Sequence, residues 1–297
     1  MKKKLPIIGI VLIFLAGLGI LCYPLISSAV NNFAARNQAE EYTKITKEMP
    51  TQRQQELLAS AQKYNDSLTN NVIIVDPFDK EAYEKIGKTY MQALDVDGQG
   101  LIGYIDIPKI NVYLPVHHST SEETLAQSAG HLQNTSLPVG GESTHAVISA
   151  HSAFPTHTFF DYLTDLKEGD EFFVHVLNRT LKYEVDQIKV VLPENTDDFR
   201  IVRGEDYVTL VTCTPYSVNT HRLLVRGKRV EYDDTKYIVT SAKPIEMSEG
   251  YLFFLGYRIP YWVAILVIAC VVAMTVFFVV FFVLKGRRRG SRKRKDG

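Results

Sequence analysis

The sequence predicts an all-β domain, a closed barrel or a sandwich, carried between two apolar runs long enough to span a membrane. Three observations predict it. Between residues 103 and 230, short runs that alternate or are rich in β-branched residues recur, bounded by Gly, Pro, Asn and Asp, with few helical stretches among them. An apolar run of more than twenty residues with basic flanks lies near each end, enough to cross roughly 30 Å of hydrocarbon as a helix. Between the first apolar run and the strands the composition turns to Glu, Gln, Ala, Leu and Lys, which suits helices.

The elements follow in order. Residues 5–26 come after Lys2-Lys3-Lys4 and are almost entirely apolar. Small residues at Ser27-Ser28-Ala29 fit a cleaved signal peptide, while the length of the run and its lack of a polar break favour an uncleaved anchor. A helix is expected over 36–64, interrupted or restarted near Pro50. Residues 71–78 are expected to be extended, because a residue before proline avoids the α region, and 79–94 to be helical again. These parts read as a stalk lifting the domain off the membrane.

Strands are expected at 103–107, 112–116, 145–150, 171–176, 181–191, 207–211 and 223–230. A short helix is expected at 121–127 and a turn or helix at 158–166. A polar, weakly patterned stretch from 231 leads to the second span at 261–284, where Tyr251, Phe253, Phe254, Tyr257, Tyr261 and Trp262 form an aromatic belt. The expected divisions are therefore a membrane anchor or signal segment (1–30), a helical extension (31–99), a β domain (100–230), a linker (231–260), a transmembrane helix (261–284) and a basic cytoplasmic tail (285–297). Basic flanks stay inside, so both ends face the cytoplasm and the middle is exported. That arrangement suits a single-membrane bacterial envelope.

The formal charge of zero averages two compartments. Setting aside the three N-terminal lysines and eight basic tail residues leaves 22 of the 33 Lys and Arg; setting aside Asp296 leaves 32 of the 33 acids. The exported part thus carries about −10. A surface of that sign argues against nucleic acid as a partner.

Of three cysteines, Cys22 and Cys270 fall in the apolar runs, so Cys213 is the one thiol available outside a membrane. Having no intramolecular disulfide partner, it is either buried and inert or kept for its reactivity. It closes the run Thr209-Leu210-Val211-Thr212-Cys213, just before Thr214-Pro215. An ordinary thiol is only a few per cent thiolate at pH 7, so nucleophilic use needs a cation or base beside it. If 214–221 joins adjacent strands, Arg222 returns next to Cys213, where its guanidinium can stabilise a thiolate or an oxyanion.

Of eight histidines, His151 is best placed, ending one strand and opening a loop as Cys213 does. His157 shares that loop and competes as the base. His117, His118, His131, His145, His175 and His221 read as surface, capping or packing residues, and His221 would point to the face opposite Arg222. No cofactor is expected. A metal site is not expected either, given one usable thiolate and no His-x-x-x-His on a helix.

The run 209–213 matches the Thr-Leu-x-Thr-Cys motif and resembles sortases, the cysteine transpeptidases of Gram-positive envelopes. The resemblance extends from about 103 to 229. It takes in Gly103-Tyr104-Ile105-Asp106-Ile107-Pro108-Lys109-Ile110, Gly130-His131-Leu132, Ser136-Leu137-Pro138-Val139-Gly140-Gly141, and Thr214-Pro215-Tyr216 through Asn219-Thr220-His221-Arg222 to Gly227. It implies an eight-stranded β-barrel with Cys213 as nucleophile, His151 as catalytic histidine and Arg222 as catalytic arginine. By analogy, the enzyme would cleave a Leu-Pro-x-Thr-Gly-like sorting signal through a thioester and pass the acyl group to an amine.

The C-terminal span and long N-terminal extension look like class C sortases, which join pilin subunits through a lysine. In those enzymes an Asp-Pro-aromatic triplet forms a lid. Asp76-Pro77-Phe78 matches it, which implies Asp76 facing Arg222 and the Phe78 ring over Cys213. The class commonly has Gly-His-Arg where this chain has Ala150-His151-Ser152, a departure that bears on substrate or acceptor preference. The partners implied are pilins or other surface proteins with such a signal, and an amine acceptor. Anchoring of surface proteins to wall peptide is the second reading, and a non-catalytic envelope scaffold the third. A papain-like peptidase is disfavoured, because there the cysteine precedes the histidine.

Overall fold

A computed structural model describes residues 5–68, 74–79, 87–154, 156–232, 245–248, 251–254 and 257–269. The chain divides into two compact units, Met1–Lys243 and Pro244–Gly297. In the first unit, eight strands close into a barrel: β1 (Leu101–Ile107), β2 (Val112–His118), β3 (Ala129–His131), β4 (Thr144–Ser149), β5 (Glu171–Val176), β6 (Arg179–Val191), β7 (Asp206–Thr214) and β8 (His221–Val230). Their order around the barrel is β1-β2-β3-β4-β7-β8-β6-β5, with β5 returning to β1. The pairs β2–β3 and β4–β7 are parallel; the others are antiparallel. Closure removes the free strand edges that would invite pairing with another chain.

Strand alternation decides what faces inward. On β7, Val208 and Leu210 join the main core; on β8, Leu223 and Val225 do; on β4, Ala146 and Ile148 do. The intervening Val147, Val211 and Leu224 form a separate cluster with Leu132 and Phe199. Period-two geometry then places Cys213 with Val211, Arg222 with Leu224 and His151 with Val147, all on that second face.

The expected strands are present, with one addition and some longer limits. β3 was not expected: Ala129-Gly130-His131 offers no β-branched residue. A Cβ at Gly130 would collide with the Ser119 carbonyl, so only glycine permits this approach. β7 continues past 211 to Thr214, which keeps Cys213 inside the ladder. The 121–127 helix shortens to α4 (Glu122–Leu125 in the numbering below), and 158–166 contributes one 3₁₀ turn at Leu163–Asp165.

The helices are α1 (Leu5–Glu48), α2 (Thr51–Ser67), α3 (Lys88–Gln92) and α4 (Glu122–Leu125). The break between α1 and α2 comes at Pro50, as expected. The extension is not a free stalk, however. Buried Ala35, Ala39, Tyr42 and Thr46 lie one turn apart along α1 and face the barrel. The Tyr42 hydroxyl donates to the Ile102 carbonyl (2.8 Å) and accepts from Leu177 N–H (2.6 Å). On α2, Leu57 and Ala61 are buried, and Asn65 exchanges hydrogen bonds with the Leu137 backbone at 2.7 and 3.1 Å. Burying Leu57 alone stabilises this docking by roughly 1.5–3 kcal/mol. Of the helix expected at 79–94, α3 is seen, and 80–86 lie outside the described residues.

In the second unit, the segment expected as an unpatterned linker holds a three-stranded antiparallel sheet of β9 (Ile245–Ser248), β10 (Tyr251–Phe254) and β11 (Tyr257–Pro260). Its aromatic and branched residues favour strands. The registers Tyr251↔Ser248 and Phe254↔Tyr257 pair β10 with β9 on one side and β11 on the other. The run expected at 5–26 lies within α1, whereas 270–284 of the second expected span lie outside the described residues. Backbone helix is present from Leu5 and over 261–269. Among the described residues no helix is long and apolar enough to cross a membrane.

Candidate active site

Cys213 and Arg222 are directly opposed in the β7–β8 ladder, so the two strands return the guanidinium beside the thiol as the loop length suggested. The parallel β4–β7 register runs up to Ser149↔Val211. Carried on by two residues, it brings His151 next to Cys213. There Thr212 Oγ1 donates to the Ala150 carbonyl (2.8 Å), and Ser152 Oγ donates to the Cys213 carbonyl (2.7 Å). Ser152, the residue that departs from the commoner arginine, thus ties the histidine loop to the thiol strand.

That loop is held in shape from below. Ala153 takes a left-handed backbone conformation (φ +59°), its N–H donating to Asp161 Oδ1 at 2.7 Å, and Phe160 N–H donates to the His151 carbonyl at 3.0 Å. Burial raises the Asp161 carboxyl above its ordinary range, against the hydrogen bonds that lower it. The α1 helix adds two clips: Asn31 Nδ2 to the Thr156 carbonyl (3.0 Å) and Asn32 Nδ2 to Thr158 Oγ1 (2.9 Å).

Asp76, Pro77 and Phe78 cover this face. Ile74, Val75 and Phe78 pack on the cluster of Val147, Val211 and Leu224. Asp76 accepts two hydrogen bonds from Arg222, Nε–Oδ1 at 2.7 Å and Nη2–Oδ2 at 2.5 Å, while Arg222 Nη1 donates to the Asn219 and His221 carbonyls. The Phe78 ring lies 5.5 Å from the His151 ring, and the Arg222 guanidinium carbon lies 5.0 Å from the Phe78 centroid. On its other neighbour, His151 stacks against Phe154 at 5.3 Å. Imidazole and guanidinium therefore meet at one phenyl ring, with Cys213 opposite the arginine in the ladder.

Under this cover Cys213 is 8% exposed. By strand parity it shares the face of Val211, on which Ile74, Val75 and Phe78 pack, and does not point with Leu210 into the main core. Burial pushes the thiol above its ordinary pKa; Arg222 pulls it down and the Asp76 charge pushes it further up. For Arg222, burial opposes the charge, but the bonds to Asp76 outweigh it and its pKa is raised. Burial and Asp76 thus favour the thiol over the thiolate, beside an arginine whose charge Asp76 matches.

The other histidines pack, as expected. His157 stacks on Phe159 at 4.5 Å. His118 bonds the Ala93 and Gly100 carbonyls, His131 the Ser136 carbonyl and His145 the Arg200 carbonyl. His221 pairs with the Thr220 hydroxyl. Among the described residues no group of His, Cys, Asp and Glu is arranged to hold a metal ion. Sequence reasoning missed Ser152, Phe154 and Asp161 as parts of the site. Only their places in the loop opened by His151 pointed to them.

A family model of the sortase domain matches residues 105–230. The chain is 28% identical over 174 residues to Sortase A of Bacillus anthracis (54% of this chain, 80% of that protein). Among solved structures, it is 48% identical to sortase C-1 of Streptococcus pneumoniae, TM-score 0.63, over 66% of this chain and 100% of that one. It is 47% identical to the pilus-related Sortase C of Group B Streptococcus, TM-score 0.59, over 66% and 97%. Sortase C-1 of Actinomyces oris is 47% identical, TM-score 0.56, over 60% and 99%.

Proposed function

Since this chain belongs to the sortase family and is a cysteine transpeptidase, we propose that it joins pilin subunits on the outer surface of a Gram-positive cell membrane. The observation that carries this reading is the Asp76-Pro77-Phe78 cover, with Asp76 on Arg222 and Phe78 beside His151. The 48% identity to sortase C-1 of S. pneumoniae supports it.

The chemistry assigns one role to each residue. The Cys213 thiolate attacks the Thr–Gly carbonyl of a Leu-Pro-x-Thr-Gly-like signal. The C–N bond breaks, a thioester forms, and protonated His151 gives its proton to the departing amine. Arg222 donates to the oxygen that becomes negative. A lysine amine of another pilin then attacks the thioester. Its proton passes to His151, the new C–N bond forms as C–S breaks, and the sulfur leaves as thiolate.

With the lid down this cycle is held back, because the thiol is favoured over the thiolate and Arg222 is engaged by Asp76. The lid is a resting cover that substrate must displace. Membrane anchoring is supported by the apolar, uncharged run at 5–26 and by its exposed Ile20, Tyr23 and Ile26. It is supported again by exposed Trp262 and Ile265 at the start of the second run. The basic tail supports a cytoplasmic location for that end and an external one for the barrel.

Incubating the full chain with a sorting-signal peptide should give a thioester, visible as a mass increase on the protein. Cys213→Ala should form none; equal turnover by that variant refutes the mechanism. Offering a pilin lysine and a wall-peptide amine together separates polymerisation from wall anchoring by the product formed.

A further inference from the structure

A cavity of about 360 Å³ opens beside the catalytic face, on the side of His151 away from the arginine: His151 is in its lining, and neither Cys213 nor Arg222 is. That volume falls in the range of small-ligand pockets, roughly 300–1,000 Å³. Its walls are Phe78, Leu125 and Phe154, and its polar groups come from Asp79, Thr120 and Glu122. Thr120 is 3% exposed and its hydroxyl has no hydrogen-bond partner. A buried hydroxyl without a partner destabilises the fold until something completes it.

These features fit a particular ligand chemistry. The Glu122 carboxylate and the Thr120 hydroxyl, which remain when the covering segment leaves, accept from a group with several N–H donors and a positive charge. Aromatic and leucine walls accept an aliphatic stem leading to that charge. A primary ammonium on a chain of methylenes, the lysine side chain, has both. A terminal α-amine, joined at once to a peptide carbonyl, lacks the stem.

Position points the same way. His151 must protonate the amine that leaves and deprotonate the amine that arrives, so both pass beside its ring. A cavity that reaches the imidazole but not the thiol is where a second amine can wait while the acyl group occupies Cys213.

We infer that this cavity is the acceptor subsite, which holds the ammonium of an incoming lysine through Glu122 and Thr120 before His151 takes its proton. This rests on the transpeptidase reading given above. Asp79 and Phe78 belong to the covering segment and depart with it, whereas Thr120, in the β2–α4 connection, and Glu122, which opens α4, stay with the barrel.

The test uses the full chain carrying Asp76→Ala, a sorting-signal peptide as donor, and three acceptors: Nα-acetyl-lysine amide, triglycine and hydroxylamine, which is uncharged near neutral pH. The reading is the ratio of kcat/KM for the lysine amide to that for hydroxylamine. Glu122→Gln should lower this ratio about tenfold through KM, as expected for losing a charged hydrogen-bond partner. Thr120→Val should lower it severalfold and raise Tm, since it removes the unpartnered hydroxyl at constant shape. Ratios unchanged in both variants overturn the assignment, as does an equal loss with triglycine. Should the Asp76→Ala chain transfer to no acceptor, the transpeptidase reading itself fails and the subsite falls with it.

Discussion

Asp76 and Arg222 stand 146 residues apart in the chain and meet through two parallel hydrogen bonds of 2.7 and 2.5 Å, with little of either side chain exposed. Fork-to-fork pairing of this kind fixes orientation as well as charge. Breaking one partner of such a pair leaves the other charge uncompensated, a cost of about 3–5 kcal/mol in buried cases and less here, where water reaches both groups. The pair is thus strong enough to close the lid and weak enough for a bound substrate to displace.

Removing Asp76 takes away a charge that pushes the Cys213 thiol upward, so Asp76→Ala should enlarge the thiolate fraction at neutral pH. Each pKa unit lost gives roughly tenfold more thiolate, and alkylation by iodoacetamide should accelerate on that scale. Phe78→Ala should accelerate it as well, by uncovering the sulfur. Unchanged labelling kinetics in both variants would mean that residues 76–78 are no lid.

Arg222→Lys keeps the charge and loses the fork. The lid should loosen, so alkylation of Cys213 should rise. Thioester formation should nevertheless fall about 10²–10³-fold, the scale of losing one oxyanion donor. A single variant with faster labelling and slower chemistry separates the two roles of this side chain. Parallel changes in both measurements would contradict the assignment.

Tyr42→Phe tests whether the helical extension belongs to the folded unit. It deprives Leu177 N–H of its acceptor and Ile102 of its donor. Leaving buried backbone groups unpaired costs about 1–3 kcal/mol, so thermal denaturation should shift to lower temperature. A stalk independent of the barrel would leave Tm unmoved.

Stability should also fall with acidity. Burial holds His131 to about 3, and His145 and His175 to about 4. In the unfolded chain each titrates near 6.5. Below that value the unfolded state binds protons that the native state refuses, so stability is full above about pH 6.5 and declines as pH drops toward 4. Near pH 5 the loss is roughly 2 kcal/mol for each histidine. Asp161 and Asp206, whose carboxyls burial raises, work in the opposite direction and offset part of it. Denaturation at about pH 5 and about pH 7.5 would show the difference; equal stability at both would mean these rings are already charged or solvated.

The barrel was legible in the sequence where side chains declare their role. Runs such as 207–211 and 223–230 carry branched residues at the strand period, and the loop between them gave the Cys213–Arg222 pairing without coordinates. β3 was not legible, because its glycine is required by a close backbone approach that no local pattern records. The docking of α1 was hidden for a related reason: its contact stripe uses alanines, which do not stand out from an ordinary exposed helix. Thr120 and Glu122 carry no motif. They approach His151 only because β2 and β4 are joined through β3 in the closed sheet.

Because Cys213 and Arg222 oppose each other by ladder register, their spacing is independent of the segment that joins β7 to β8. Side chains in 215–220 can therefore vary while sulfur and guanidinium keep their separation, so long as the Asn219 carbonyl still accepts from Arg222 Nη1. Tyr216 and Val218 are both largely exposed on that segment, and Tyr216 also hydrogen-bonds Asp161 beneath the histidine loop. The ladder, not the loop, sets the distance between the reacting groups, so exchanging the exposed Val218 should leave turnover undisturbed.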